Sequence, residues 1–321
     1  MPKLVMLPPQ SAKTVRWAGD LVKELPQYQV ALPETDEEAR AAIVDADAAF
    51  GVLPADVLAA AQKLRWLQSP AAAPPAGYYY PALITHPVQV CNLRGVYNDH
   101  IAQHIMMYVL ALARGLPYYM DAQRARRWDK DARKSGYVDL NGATALIMGL
   151  GGIGHETARL CNAFGMRVIG TDARWEYETP GVETHPPAAL DSLLPRADFV
   201  IVTVPHTPET EGMWNAARFA CMKPSAYFIN IGRGLTTKIA DLTAALEAGQ
   251  IAGCALDVYE VEPFPADEKL WTLPNVILTP HIAVHEAANI DERQFAVFME
   301  NARRLDTGES LINVVDKASW Y

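Results

Sequence analysis

The stretch that most limits how this 321-residue chain can fold is Gly149-Leu150-Gly151-Gly152-Ile153-Gly154. It fits the spacing G-x-G-x-x-G, which is weak evidence when it stands alone. Here it follows the apolar run Ala145-Leu146-Ile147-Met148 and opens a helical pattern over residues 154–164. A second strand-like run over 167–171 then ends at Asp172. Strand, helix and strand in about thirty residues make a βαβ unit. In such a unit the first glycine allows the tight turn. The second lets a pyrophosphate approach the backbone, and the third lets helix and strand pack closely. The helix N-terminus adds free N–H groups and a positive dipole end. Gly149, Gly151, Gly152, Ile153 and Gly154 are therefore expected to cradle a dinucleotide. Asp172 is placed to accept ribose hydroxyls, which favours NAD over NADP. Arg174 works against that choice, because a nearby arginine can accommodate a 2′-phosphate.

The rest of the chain repeats the alternation. Short apolar runs at 4–7, 48–53, 64–68 and 88–92 are separated by helical patterns such as 14–25 and 36–44. Beyond the glycine loop, strands are expected at 199–204, 226–231, 253–257 and 276–279, all buried. Strands alternating with helices indicate parallel α/β sheets, and the length suggests two domains. A buried helix is expected over 99–113, a polar, basic helix or arm over 118–134, and a helix over 282–305.

Composition excludes several classes. The chain carries 28 Lys+Arg against 37 Asp+Glu, a formal charge of −9, so a polyphosphate backbone is repelled and no nucleic-acid partner is expected. No apolar run approaches the ~20 residues of a membrane span, and the N-terminus lacks a signal-peptide core. Cys91, Cys161, Cys221 and Cys254 are far apart without C-x-x-C spacing. That argues against a zinc site or disulfide framework and for a cytoplasmic protein.

Hydride exchange with a 2-oxo acid needs a cation for the carboxylate, an acid for the developing alkoxide, and a partner for that acid. Arg233, Glu262 and His281 each follow an apolar strand, and ligands of open α/β sheets bind beyond the carboxyl ends of strands. A carboxylate beside an imidazole favours its protonated form. Each residue also has an ordinary reading: a surface turn, a loop charge or a helix cap. Spacing alone does not bring the three together.

Several motifs in order carry a resemblance to the D-isomer-specific 2-hydroxyacid dehydrogenase family. Val204-Pro205-His206-Thr207-Pro208-Glu209-Thr210 resembles V-P-x-T-P-E-T, and Asn230-Ile231-Gly232-Arg233-Gly234 resembles N-x-x-R-G. Ala255-Leu256-Asp257-Val258-Tyr259-Glu260-Val261-Glu262-Pro263 resembles A-x-D-V-F-x-x-E-P, and Thr279-Pro280-His281-Ile282-Ala283 resembles T-P-H-x-A. The resemblance implies two doubly wound parallel-sheet domains. A Rossmann cofactor domain (97–284) is inserted into a flavodoxin-like substrate domain (1–96), which residues 285–321 complete with a return helix. It implies Arg233 as substrate-binding residue, His281 as proton donor and Glu262 as its partner. Pro205, Thr210, Ile231 and Asp257 would line the cofactor cleft. The implied protein is a homodimeric NAD-dependent oxidoreductase acting on a small 2-oxo/2-hydroxy acid, with glyoxylate and hydroxypyruvate among the candidates. An NAD(H)-sensing corepressor and a phosphite dehydrogenase are the alternatives.

Two departures stand out. The family's substrate-carboxylate turn falls on Ala72-Ala73-Pro74-Pro75. Proline has no N–H to give, so the carboxylate contacts are either rearranged or come mainly from Arg233 and the Ala72 and Ala73 amides. Tyr78, Tyr79 and Tyr80 follow, either lining a pocket or packing as half-buried aromatics. Gln103 stands where family members often carry glutamate. His100 and His104 share a helix face but lack the glutamate of a zincin motif, so no metal site is expected. The basic run at 124–127 reads as a solvated helix face.

Overall fold

The structure, a computed structural model, describes residues 1–72, 77–130, 136–285, 287, 289–318 and 320. They fall into two compact units, Met1–Val96 with Ala288–Tyr321 and Tyr97–Ala287.

The first unit holds a parallel sheet of β1 (Lys3–Met6), β2 (Gln29–Ala31), β3 (Ala48–Phe50), β4 (Trp66–Gln68) and β5 (Gln89–Cys91), ordered β2-β1-β3-β4-β5. Helices α1 (Ala12–Glu24), α2 (Asp36–Ile43), α3 (Ala55–Ala60) and α4 (Pro81–Thr85) connect the strands. Successive side chains of a strand point to opposite faces, and β1 shows what that does. Val5 and Leu7 join a core with Ile43, Val57 and Leu58. Leu4 and Met6 join another with Trp17, Leu21 and Phe298. Both faces of the sheet are therefore covered, as expected for a parallel sheet. The strand order is the flavodoxin-like one.

The second unit contributes α5 (Asn98–Ala113), α6 (Leu116–Arg124) and a seven-stranded parallel sheet. Its strands are β6 (Thr144–Met148), β7 (Arg167–Thr171), β8 (Val182–His185), β9 (Phe199–Val202), β10 (Tyr227–Asn230), β11 (Gly253–Leu256) and β12 (Val276–Leu278). The order β12-β11-β10-β9-β6-β7-β8 reverses direction between β6 and β9, which is the doubly wound dinucleotide-binding arrangement. Helix α7 (Gly152–Ala163) starts on the glycine loop, and α8 (Leu190–Leu193), α9 (Ala216–Phe219) and α10 (Ile239–Glu247) follow. The chain then returns to the first unit through α11 (Ile290–Thr307).

Some expectations needed correction. The last helix starts at Ile290 rather than 282, because residues 279–283 are tied to Asp257 and Asn289 enters the helix with φ +60°. Of the arm expected over 118–134, α6 ends at Arg124 and Arg126 leaves it at φ +54°, while residues 131–134 lie outside the described residues. Within α6, Arg124 pairs with Asp121 at 2.9 Å. Strand β12, expected to be buried, is a half-buried edge. Edge strands β2 and β8 were not foreseen, since neither carries a run of buried apolar residues.

Candidate active site

The sheet of the second unit runs in parallel register, with Asn230, Leu256 and Leu278 side by side. The loops after β10, β11 and β12 therefore leave from one edge. They carry Arg233, Asp257 with Glu262, and His281.

Glu262 and His281 meet. The His281 Nδ1–H donates to Glu262 Oε2 at 2.8 Å, and Glu262 Oε1 accepts the Tyr259 amide at 3.0 Å. The carboxylate is thus fixed at one oxygen by backbone and orients the imidazole with the other. Both side chains are partly open, His281 at 49% and Glu262 at 36%, so the ring can reach a ligand.

Arg233 is shaped by its turn. Buried Asn230 accepts the Gly232 amide at 3.0 Å, and its own amide reaches the Arg233 carbonyl and the hydroxyls of Thr236 and Thr237. Arg233 Nη1 donates to the Gly232 carbonyl at 2.6 Å, with no hydrogen bond to Glu262 or His281 among the described residues. Burial pulls its guanidinium below the ordinary arginine value, and the Glu262 charge opposes that shift. The two groups therefore feel each other without touching.

The glycine loop has the form the dinucleotide requires. Gly149 sits at φ +94°. A Cβ on Gly154 would lie 1.9 Å from the Gly149 carbonyl oxygen, whereas one on Gly151 would meet nothing within 4 Å. Open space above Gly151 is what an approaching pyrophosphate needs. Beside it lies a cavity of about 350 Å³ lined by Leu150, His155, Asp172, Arg174, Tyr177 and Thr179. Asp172 accepts the Leu150 amide at 2.7 Å and the Arg174 amide at 2.9 Å, and Arg174 Nε lies 3.8 Å from the same carboxylate. These residues fit a dinucleotide: bare backbone for the phosphates and a carboxylate at the end of β7 for the ribose. His155, near the start of α7, and Tyr177 and Thr179, on the loop after β7, were missed from sequence because only folding lays that loop beside the helix, where Thr179 meets His155 at 3.1 Å.

The other expected positions also hold the local structure. Gly152 faces the Asn98 side chain, which a Cβ would meet at 2.3 Å, while Ile153 packs into the core under α7. Thr210 donates to the Pro205 carbonyl at 2.8 Å and so holds its own loop. Ile231 is buried, and its amide donates to Val202. Asp257, 1% exposed, binds the amides of Ile282 and Ala283.

In the first unit the Ala72 carbonyl accepts from Asn92, while Ala73, Pro74 and Pro75 lie outside the described residues. The three tyrosines pack: Tyr78 donates to the Gly51 carbonyl and Tyr80 to that of Leu53. Burial raises the Tyr79 and Tyr80 hydroxyls to about 12.

Sheet order and glycine cradle define a dinucleotide-binding α/β protein, with the acid–imidazole pair beyond the ends of its strands. Residues 106–283 match the family model described as D-isomer specific 2-hydroxyacid dehydrogenase, NAD binding domain. The chain belongs to that family. It is 37% identical over 213 residues to a glyoxylate reductase of Thermofilum pendens, covering 64% of this chain and 61% of that protein. Matches to curated relatives span roughly half to two-thirds of those proteins' length. Among solved structures it resembles a D-isomer specific 2-hydroxyacid dehydrogenase from Xanthobacter autotrophicus Py2 in complex with NADPH and MES. That likeness has a TM-score of 0.85 at 29% identity and covers 100% of this chain and 99% of that one. It also resembles an NADPH-dependent glyoxylate/hydroxypyruvate reductase from Sinorhizobium meliloti in complex with NADP and sulfate, with a TM-score of 0.82 at 27% identity and 100% of both chains covered.

Proposed function

We propose that the protein reduces a small 2-oxo acid to its 2-hydroxy acid, with glyoxylate and hydroxypyruvate as the first candidates. The observation that carries this reading is the 2.8 Å bond between Glu262 and His281, with half-buried Arg233 beyond the neighbouring strand end. Bound at the glycine loop, a nicotinamide dinucleotide supplies the hydride that goes to the carbonyl carbon. Arg233 holds the substrate carboxylate and draws charge toward the carbonyl oxygen. His281 gives that oxygen its Nε2 proton and keeps its Nδ1–H, donated to Glu262, leaving a neutral ring held in place. Glu262 so stabilises the charged ring before transfer and fixes its orientation throughout. Ala72 and Ala73 remain the proposed backbone contacts to the carboxylate.

The preferred cofactor in this reading is NAD. A 2′-phosphate would meet the Asp172 carboxylate, and Arg174 is partly engaged by that same carboxylate. The NADP-bound relatives make the contrary outcome a direct test. Four free cysteines, three of them buried, fit a reducing cytoplasmic compartment. No helix among the described residues is long and apolar enough to cross a membrane.

The test is oxidation of NADH and of NADPH with glyoxylate, hydroxypyruvate and bulkier 2-oxo acids. Turnover with a higher kcat/KM for NADH is expected. Tight NADH binding with no turnover of any acid would point to the sensor instead, and a lower KM for NADPH would overturn the cofactor choice.

A further inference from the structure

Helix α5 carries two polar residues whose side chains turn inward, and the chemistry assigned above does not use them. His104 and Tyr108 are four apart, so they lie on one helix face. His104 Nε2 lies 2.9 Å from the Tyr108 hydroxyl and 3.2 Å from the Thr279 hydroxyl. The Tyr108 hydroxyl also bonds Thr279 and reaches the Leu256 carbonyl at 3.2 Å. Thr279 in turn donates to Asp257.

Thr279 stands two residues before His281 and is held at every polar atom. Its amide donates to Leu256, and its carbonyl accepts from the Tyr259 hydroxyl at 2.9 Å and from the His281 amide at 3.0 Å. On the far side of His281, Asp257 accepts the Ile282 amide at 2.9 Å and the Ala283 amide at 3.0 Å. His281 itself sits at φ +55°, in the left-handed region. A non-glycine residue there is strained and persists only where its surroundings over-determine it.

We propose that Tyr108 and His104 are positioning residues for His281, acting through the Thr279 hydroxyl. Proton counting supports the direction. Asp257 only accepts, so Thr279 gives it its single proton and is left to accept from Tyr108 and His104, Tyr108 sharing its own proton with the Leu256 carbonyl. Tyr108 then accepts from an Nε2–H of neutral His104. Burial lowers the His104 imidazole below its ordinary value, with the nearby Asp257 charge opposing, in keeping with the neutral ring. Helix α5 thereby reaches the proton-donor turn through an ordered run of donors.

This inference rests on the dehydrogenase reading for its kinetic test, but it also has a readout that needs no turnover. The variants are Tyr108→Phe, Thr279→Val and Thr279→Ser in the full chain. A misplacement of about 1 Å at a reacting group can cost ~10²-fold. Tyr108→Phe and Thr279→Val should therefore lower kcat about tenfold or more with the KM for NADH little changed. Thr279→Ser, which keeps the hydroxyl, should restore most of the rate. The His281 ring proton resonances, followed by NMR at one pH and assigned with His281→Ala, should be displaced in Thr279→Val and Tyr108→Phe relative to the parent. Parental kcat in both variants, or a serine variant no better than valine, would overturn the proposal. A parent that turns over no acid strikes at the dehydrogenase reading alone. The His281 ring resonances then decide, and unchanged positions in both variants would overturn the positioning role.

Discussion

Gly154→Ala and Gly151→Ala should fail in opposite ways, because the two glycines are needed for different reasons. At Gly154 a methyl carbon would stand 1.9 Å from the Gly149 carbonyl oxygen. Close C···O contacts begin near 3.3 Å, so helix and loop must part by about 1.4 Å. The carbonyl cannot swing aside freely, since the Thr203 hydroxyl donates to it at 2.7 Å. Overpacking costs ~1–3 kcal/mol and a lost hydrogen bond about 1 kcal/mol. With backbone on both sides of the clash, the total is about 3 kcal/mol. At roughly 2–4 °C per kcal/mol for a domain of this size, the apo protein should melt about 6–12 °C lower. Gly151 has φ −72° and ψ −169°, which alanine adopts without strain, and no neighbour within 4 Å. Its replacement should leave apo stability unchanged or raise it by up to ~1 kcal/mol through the unfolded chain. The methyl would instead fill the phosphate approach and weaken NADH binding about tenfold or more, at least ~1.4 kcal/mol. Apo thermal unfolding and NADH titration by nicotinamide fluorescence separate the two effects. An apo Gly154→Ala protein melting within 2 °C of the parent, or Gly151→Ala binding NADH as tightly as the parent, would refute this reasoning.

Two further outcomes bear on the site and the assembly. Glu262→Gln, which removes charge but keeps shape, should lower kcat by ~10–10²-fold with the KM for NADH nearly constant, and His281→Ala by ~10²–10⁴-fold, the span of general acid catalysis. Steady-state kinetics at saturating NADH checks both, and rates within threefold of the parent would remove the proton-donor assignment. Met107, Leu116, Tyr119 and Met120 are exposed apolar side chains on α5 and α6. Such a patch supports a homodimer through these helices. Light scattering should read twice the chain mass, and the mass of a single chain would remove that expectation.

Much of this architecture was legible in the chain alone. Consecutive apolar residues such as Phe199-Val200-Ile201-Val202 can only be satisfied in a strand covered on both faces, and the glycine spacing after β6 dictates a phosphate-binding turn. These are local rules, written in neighbouring residues. Edge strands β2 and β8 escaped because half their side chains meet solvent and leave no periodic mark. The start of α11 escaped for a different reason. Residues 282–285 carry a helical pattern, but the Asp257 carboxylate claims the amides of Ile282 and Ala283 from across the sheet.

The candidate site divides in the same way. The identities of Arg233, Glu262 and His281, and the strands they follow, were set by sequence. Their juxtaposition came from parallel pairing of β10, β11 and β12, which aligns three loops that the chain keeps far apart. The support from His104, Tyr108 and Thr279 was invisible for the same reason. A hydrogen bond spanning 175 residues leaves no spacing to read, and it exists only once α5 has packed against that sheet.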